Sequence, residues 1–302
     1  MDMSVELCGV RLKNPVIAAS GTFGFGREYD EFYDVGVLGG ISSKGLTLLP
    51  REGNDGVRIT ETPSGILNCV GLQNPGVEAF IERELPFMRE SGAAVIVNVA
   101  GSSLSDYERI CERISDCEGV DMIELNISCP NVKQGGMSFG VLPSSVEEVT
   151  SAAKSHCRVP LMVKLTPNVS CIADNARAAE AGGADCVSLI NTLTGMAVDL
   201  YARRPVLGNV TGGMSGPAVK PVALRMVWEA SRAVKIPVVG LGGITSARDV
   251  LEFMLCGAAA VQVGTATISD PYAMPRIIAD LPGEMEKCGI TDIKDIIGKL
   301  SV

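Results

Sequence analysis

Residues 93–128 read AAVIVNVAGSSLSDYERICERISDCEGVDMIELNIS. An apolar run at 93–100 gives way to a stretch with helical spacing of its apolar residues, 105–117, and then to a second apolar run, 122–128. Near-continuous apolar strands are what a parallel sheet covered on both faces requires. Two of them joined through a helix make one crossover unit. The unit repeats in both directions. Further strands are predicted at 15–20, 39–44, 160–166, 186–191, 237–242 and 259–264, eight in all with the two quoted. Helical periodicity lies between most of them, at 76–90, 144–156, 170–182, 218–233, 246–256 and 271–287. Ser144 and Ser246 stand where capping residues start helices, and Gly182-Gly183 where a glycine cap ends one.

Eight strand–helix repeats that close on themselves define an α/β fold, the (β/α)8 TIM barrel. An open doubly wound sheet is the alternative. The chain, 302 residues with 46 % hydrophobic side chains, fits one such domain over residues 1–302. Two segments depart from the repeat. Residues 45–75 read as loop and hairpin, with short strands at 58–62 and 65–68, and residues 192–217 form a long Gly-rich insertion. Long loops in a compact domain are usually functional, so both are placed as insertions on the catalytic face.

A formal charge of −9 lacks the basic footprint of a nucleic-acid binder. No apolar run is long enough to span a membrane, and the first residues have neither a basic nor an apolar leader segment. The ten cysteines contain no CxxC pair and no disulfide framework, and no metal site is expected. A cytoplasmic protein with reduced thiols is the expectation.

In a barrel of this kind the active site lies at the carboxyl ends of the strands. There the sequence places Ser20, Lys44, Asn98, Asn126, Lys164 and Asn191. Amides and ammonium groups at the ends of apolar strands are costly to bury unless a polar ligand meets them. The seventh and eighth strands end in Gly242-Gly243 and Gly264-Thr265, where backbone N–H groups can approach a phosphate, and Gly212–Gly216 adds another glycine turn. No early GxGxxG supports a dinucleotide site, so a phosphorylated cofactor such as a flavin mononucleotide is inferred. The single histidine, His156, sits in the turn entering the fifth strand, at the opposite end, and reads as structural. The best candidate base is Cys129, just past the fourth strand at the start of a Gly-rich loop.

These residues belong to blocks that together resemble a known family: ASGTFGFG (19–26), SSKGLT (42–47), NCVGLQNPG (68–76), ELNISCPNVK (124–133), GGMSGPAVKP (212–221) and VQVGTA (261–266). The chain closely resembles the class 1 dihydroorotate dehydrogenases, and within them the NAD-linked, two-subunit class 1B. The resemblance implies oxidation of dihydroorotate to orotate, with Cys129 as base and Lys44 assisting. It implies FMN contacts from Ser20, Lys44, Gly45, Asn98, Asn126, Lys164, Ile190, Gly216, Gly242, Gly243, Gly264 and Thr265. Substrate contacts would come from Lys44, Asn68, Cys69, Val70, Gly71, Leu72, Asn126, Asn191 and Thr192. It also implies a partner subunit carrying FAD and a [2Fe–2S] cluster, with a homodimer of this chain inside a heterotetramer. A related flavin barrel acting on another dihydropyrimidine is the runner-up. A phosphate-binding barrel without redox chemistry stands behind it.

Overall fold

The computed structural model describes residues 1–128 and 139–301. The predicted strands form at β1 (Val16–Ala18), β2 (Gly40–Ser42), β3 (Ala94–Val99), β4 (Met122–Asn126), β5 (Leu161–Lys164), β6 (Cys186–Leu189), β7 (Val238–Leu241) and β8 (Ala258–Val263). They pair in parallel in chain order and close, β8 against β1 and β5 against β6. The open sheet is thereby excluded. Around the barrel lie α1 (Leu85–Glu90), α2 (Leu104–Ser115), α3 (Pro143–Lys154), α4 (Ile172–Ala181), α5 (Lys220–Ala233), α6 (Ala247–Leu255), a short α7 (Thr265–Ser269) and α8 (Ala273–Lys287). None of the described helices is long and apolar enough to cross a membrane.

Local chemistry sets the helix boundaries. Ser246 accepts from the backbone N–H of Asp249, whose carboxylate accepts from the Ser246 N–H in return, closing a capping box at α6. Ser103 and Asp106 do the same for α2. The start of α3 differs from expectation. Its first residue is Pro143, with no side-chain cap, so Ser144 lies inside the first turn. Proline suits that position because its missing N–H would have had no helical partner.

Helix-facing side chains of the strands, such as Val95, Val97, Ile123, Leu125 and Val163, are fully or almost fully buried in one continuous apolar core. Inside the barrel the pattern is different. Ser42 of β2, Glu124 of β4, Ser188 of β6 and Gln262 of β8 form one mutually bonded layer. One residue from each alternate strand is the layering expected of an eight-stranded barrel, but such layers are usually filled by Val, Ile and Leu.

The two departures from the repeat join into one structure. Ile59–Thr62, Gly65–Asn68, Thr211–Ser215 and Leu193–Met196 make a four-stranded antiparallel sheet. The hairpin after β2 and the insertion after β6 are thus hydrogen-bonded to each other. A further hairpin, Val5–Leu7 with Val10–Leu12, precedes β1.

Gly240 shows how tightly a helix approaches the barrel. A Cβ there would lie 2.5 Å from Cδ1 of Phe253 in α6, a fully buried ring. Gly240→Ala should therefore cost about 1–3 kcal/mol of stability in urea unfolding. Combined with Phe253→Leu it should cost less than the sum of the two single changes, and strict additivity would show that strand and ring do not compete for the space.

Candidate active site

A cavity of about 760 Å³ opens at the carboxyl ends of the barrel strands and is roofed by the four-stranded sheet. That volume is in the range of cofactor-sized pockets. Every described residue that the sequence reading singled out as a site residue lines it. Cys129 lies outside the described residues.

The floor is built by β3, β4 and β5. Lys164, at the end of β5, has its side chain only 4 % exposed. Its Nζ donates to Ser20 Oγ at 3.2 Å and to Gln262 Oε1 at 3.3 Å, and lies 3.8 Å from Glu124 Oε2. Burial pushes the Lys164 ammonium below the usual lysine range, with the Glu124 carboxylate opposing the shift. Asn98 Nδ2 donates to Glu124 Oε2 at 2.7 Å, whereas Asn98 Oδ1 is buried without a hydrogen-bond partner. An orphaned acceptor inside a polar cavity is the mark of a missing N–H donor. Gly45 packs so close that a Cβ there would sit 2.9 Å from that same oxygen.

On another wall three side chains orient one another. Asn191 Nδ2 donates to Ser128 Oγ at 2.6 Å, and Ser128 Oγ donates to Asn126 Oδ1 at 3.0 Å. Asn191 Oδ1 accepts the N–H of Thr192 at 2.8 Å. Asn191 Nδ2 also reaches Asn126 Oδ1 at 3.4 Å, so Asn191 spends its NH2 group within the cluster, while Asn126, its oxygen engaged, keeps its own NH2 group as a donor on the cavity wall. Lys44 lines the cavity nearby, and its ammonium has no hydrogen bond or ion pair among the described residues. Burial holds its pKa below the ordinary lysine value. An unpaired, largely buried cation in a cavity that also holds a free amide donor is suited to an anion.

At the roof, Asn68 Nδ2 donates to Gly213 O at 3.3 Å across the antiparallel sheet. The segment from Asn68 to Leu72 follows, and Leu72 holds a left-handed backbone, φ 56°, that non-glycine residues seldom adopt. Strain of that kind tends to persist where a site requires it.

The opposite end is made of backbone. The N–H groups of Gly243, Gly264 and Thr265 reach no acceptor among the described residues. Gly243 has φ 75°, and a Cβ on it would meet Gly216 O at 2.9 Å, so the chain there has no room for a side chain. Thr265 Oγ1 donates to Ser215 Oγ at 2.8 Å, tying α7 to the sheet of the roof. Ile190 forms an apolar wall between the two ends. Glycine cradle, apolar wall, orphaned amide acceptor and buried ammonium would fit the phosphate, ring and pyrimidine edge of a flavin mononucleotide.

His156 lies at the far end of the barrel, after α3, with Nδ1 3.0 Å from the Ala152 carbonyl. The nine described cysteines are free, and Cys69 lines the cavity with its thiol toward Val57 O. Reasoning from the sequence missed Glu124, Gln262, Ser42, Ser188 and Ser128. For Glu124 a signal existed: a carboxylate in the middle of the apolar run Met-Ile-Glu-Leu.

The family model for dihydroorotate dehydrogenase matches residues 2–285. Among curated relatives, the chain is 53 % identical over 299 residues to the catalytic subunit of dihydroorotate dehydrogenase B (NAD+) of Alkaliphilus oremlandii, covering 99 % of both chains. It is 54 % identical over 302 residues to the protein of that name from Thermoanaerobacter pseudethanolicus, covering all of both. The one from Geotalea uraniireducens is 52 % identical over 299 residues, 99 % of this chain and 98 % of the relative. Polar strand ends, glycine cradle and sequence agree over the whole barrel, and the chain belongs to the dihydroorotate dehydrogenase family, among the NAD-linked type B catalytic subunits.

Proposed function

We propose that this chain oxidises (S)-dihydroorotate to orotate in pyrimidine biosynthesis, as a single FMN-binding domain over residues 1–302. The observation that carries the reading is one cavity holding two unlike sets of groups: unpaired backbone N–H groups suited to a phosphate, and an unpaired Lys44 with the free NH2 group of Asn126, suited to a carboxylate.

FMN would be held by Gly216, Gly242, Gly243, Gly264 and Thr265 at its phosphate and by Ile190 along the ring. Ser20, Lys44, Gly45, Asn98, Asn126 and Lys164 would serve the isoalloxazine. When bound, it supplies the acceptor for the hydride that leaves C6 of the substrate. The chain's own work is to bind, orient and deprotonate. Asn126 presents its NH2 donor and Asn191, bonded to Ser128, lines the same wall, while Asn68, Thr192 and the backbone from Cys69 through Leu72 close on the substrate from the roof. Lys44 offsets the carboxylate charge. Cys129, as thiolate, takes the C5 proton, and its placement directly after Ser128 keeps it in sequence next to the asparagine wall. Electrons leave through a partner subunit with FAD and a [2Fe–2S] cluster, in a heterotetramer built on a homodimer of this chain. "Catalytic subunit" in the relatives' names supports a second subunit. The whole assembly is assigned to the cytoplasm.

The first test is the visible spectrum of the purified chain before and after anaerobic dihydroorotate. A flavin band that bleaches supports both cofactor and substrate, whereas one that bleaches only with a dihydropyrimidine lacking the carboxylate moves the substrate elsewhere. Cys129→Ala should keep its flavin and lose roughly a hundred- to ten-thousand-fold in turnover, the usual cost of a missing general base. Cys129→Ser should retain some turnover with its pH optimum moved upward, since an alcohol yields its proton less readily than a thiol. Near-normal turnover of the alanine variant removes Cys129 from the mechanism.

Lys44 gives a pH signature. Its pKa is depressed in the free site, so its charge is lost at lower pH than that of an exposed lysine. A carboxylate ligand favours the protonated form, so orotate affinity should fall as pH rises through that depressed value. Flavin-perturbation titrations with orotate across pH would show this alkaline limb in the wild type and its disappearance in Lys44→Met.

A further inference from the structure

Glu124 touches neither the cavity surface nor the expected position of substrate, yet it governs what the cavity floor displays. Its side chain is fully excluded from solvent. Oε1 accepts from Ser188 Oγ at 2.8 Å and Gln262 Nε2 at 2.6 Å. Oε2 accepts from Ser42 Oγ at 2.7 Å and Asn98 Nδ2 at 2.7 Å. Both amides are therefore forced to give their NH2 groups to the carboxylate. The consequence lies on the far side of each amide: Asn98 keeps Oδ1 free, and Gln262 aims Oε1 at the Lys164 ammonium.

We propose that Glu124 is a positioning residue for the flavin site, holding the Lys164 ammonium charged and the Asn98 oxygen outward so that the floor favours the reduced cofactor. The proposal rests on the FMN reading above. A reduced flavin carries one more N–H donor and more negative charge than the oxidised form, and an acceptor with a cation is the matching surface. Burial opposes the charge on Lys164, and Glu124 is the only carboxylate within ion-pair distance of it among the described residues. Burial would also raise the Glu124 carboxyl, but Lys164 and the donors from Ser42, Gln262 and Asn98 bring it below the ordinary range, so it stays ionised.

Glu124→Gln keeps the shape and removes one acceptor position. The serine hydroxyls can rotate to accept, but Asn98 and Gln262 cannot both continue to donate. If Asn98 turns over, the floor shows a donor in place of an acceptor. If Gln262 turns over, its NH2 group faces Lys164. In either case Lys164 loses its counter-charge and, being buried, its proton.

The experiment is the midpoint potential of FMN in the holoenzyme, by anaerobic dye equilibration at several pH values. In Glu124→Gln, reduced FMN should be bound at least about tenfold less tightly relative to oxidised FMN at neutral pH. That is a potential about 30 mV more negative for a two-electron couple. The displacement should shrink as pH is lowered and Lys164 regains its proton. Glu124→Asp, which keeps the charge, should stay near the wild-type potential even if it binds FMN more weakly. If Glu124→Gln fails to fold because Lys164 is left buried and unpaired, Glu124→Gln/Lys164→Met should restore folding, and failure of that pair overturns the charge assignment. A wild-type potential and pH profile in Glu124→Gln, or an equal shift in Glu124→Asp, overturns the proposal while leaving FMN in place. A wild-type chain that takes up no FMN overturns both readings together.

Discussion

A carboxylate without access to water is tolerated only when its charge and lone pairs are met, because an isolated buried ion costs many kcal/mol. Glu124 is met from five other strands or strand ends: Ser42, Asn98, Lys164, Ser188 and Gln262 come from β2, β3, β5, β6 and β8. These partners stand up to 138 residues away in the chain. Each reaches the interior only if its strand is in register, since a slip of one residue turns a side chain from the lumen to the helix face. The polar layer thus makes barrel closure and strand register a single condition. An apolar layer of the same volume would reward closure equally but would tolerate slips among Val, Ile and Leu far better.

The same layer divides the barrel into two chemistries. Below it, Met122 and Cys186 meet across β4 and β6 in an apolar end. Above it, Asn98, Lys164 and Asn126 continue the inward faces of β3, β5 and β4 into the cavity. The orientation of the floor is dictated from beneath by the donors and acceptors of the layer around Glu124. The opposite end is set by backbone instead: Gly243 and Gly216 lie against each other at a distance that no side chain could enter.

Much of this was legible in the sequence because parallel strands are long apolar runs, and the residue that breaks each run marks the carboxyl end. Ser20, Lys44, Asn98, Asn126, Lys164 and Asn191 announced themselves in this way. The layer beneath did not, because Ser188 and Gln262 are single polar residues within apolar strands and Ser42 is one of a polar run with Ser43 and Lys44, each unremarkable until its partner in another strand is known. The roof sheet was seen only in half. Its hairpin of Ile59–Thr62 and Gly65–Asn68 was readable, but the segments Leu-Thr-Gly-Met and Thr-Gly-Gly-Met-Ser carry too few β-branched residues to show as strands. The first hairpin had a signal that went unused. Val-Glu-Leu and Val-Arg-Leu alternate around Cys8-Gly9, both at positive φ, the turn that a tight hairpin demands.

The site also shows why polar satisfaction and function pull on the same atoms. Where Asn126 bonds to Ser128 and Asn191, it spends its oxygen as acceptor and leaves its NH2 group over. Where Asn98 bonds to Glu124, the bond spends an N–H group and leaves an oxygen over. Amides of one type thereby display opposite polarity on two walls of one cavity, and the choice is made by the neighbour. A ring with donors on one edge and a carboxylate on another ligand can then be told apart by residues that composition alone would call equivalent.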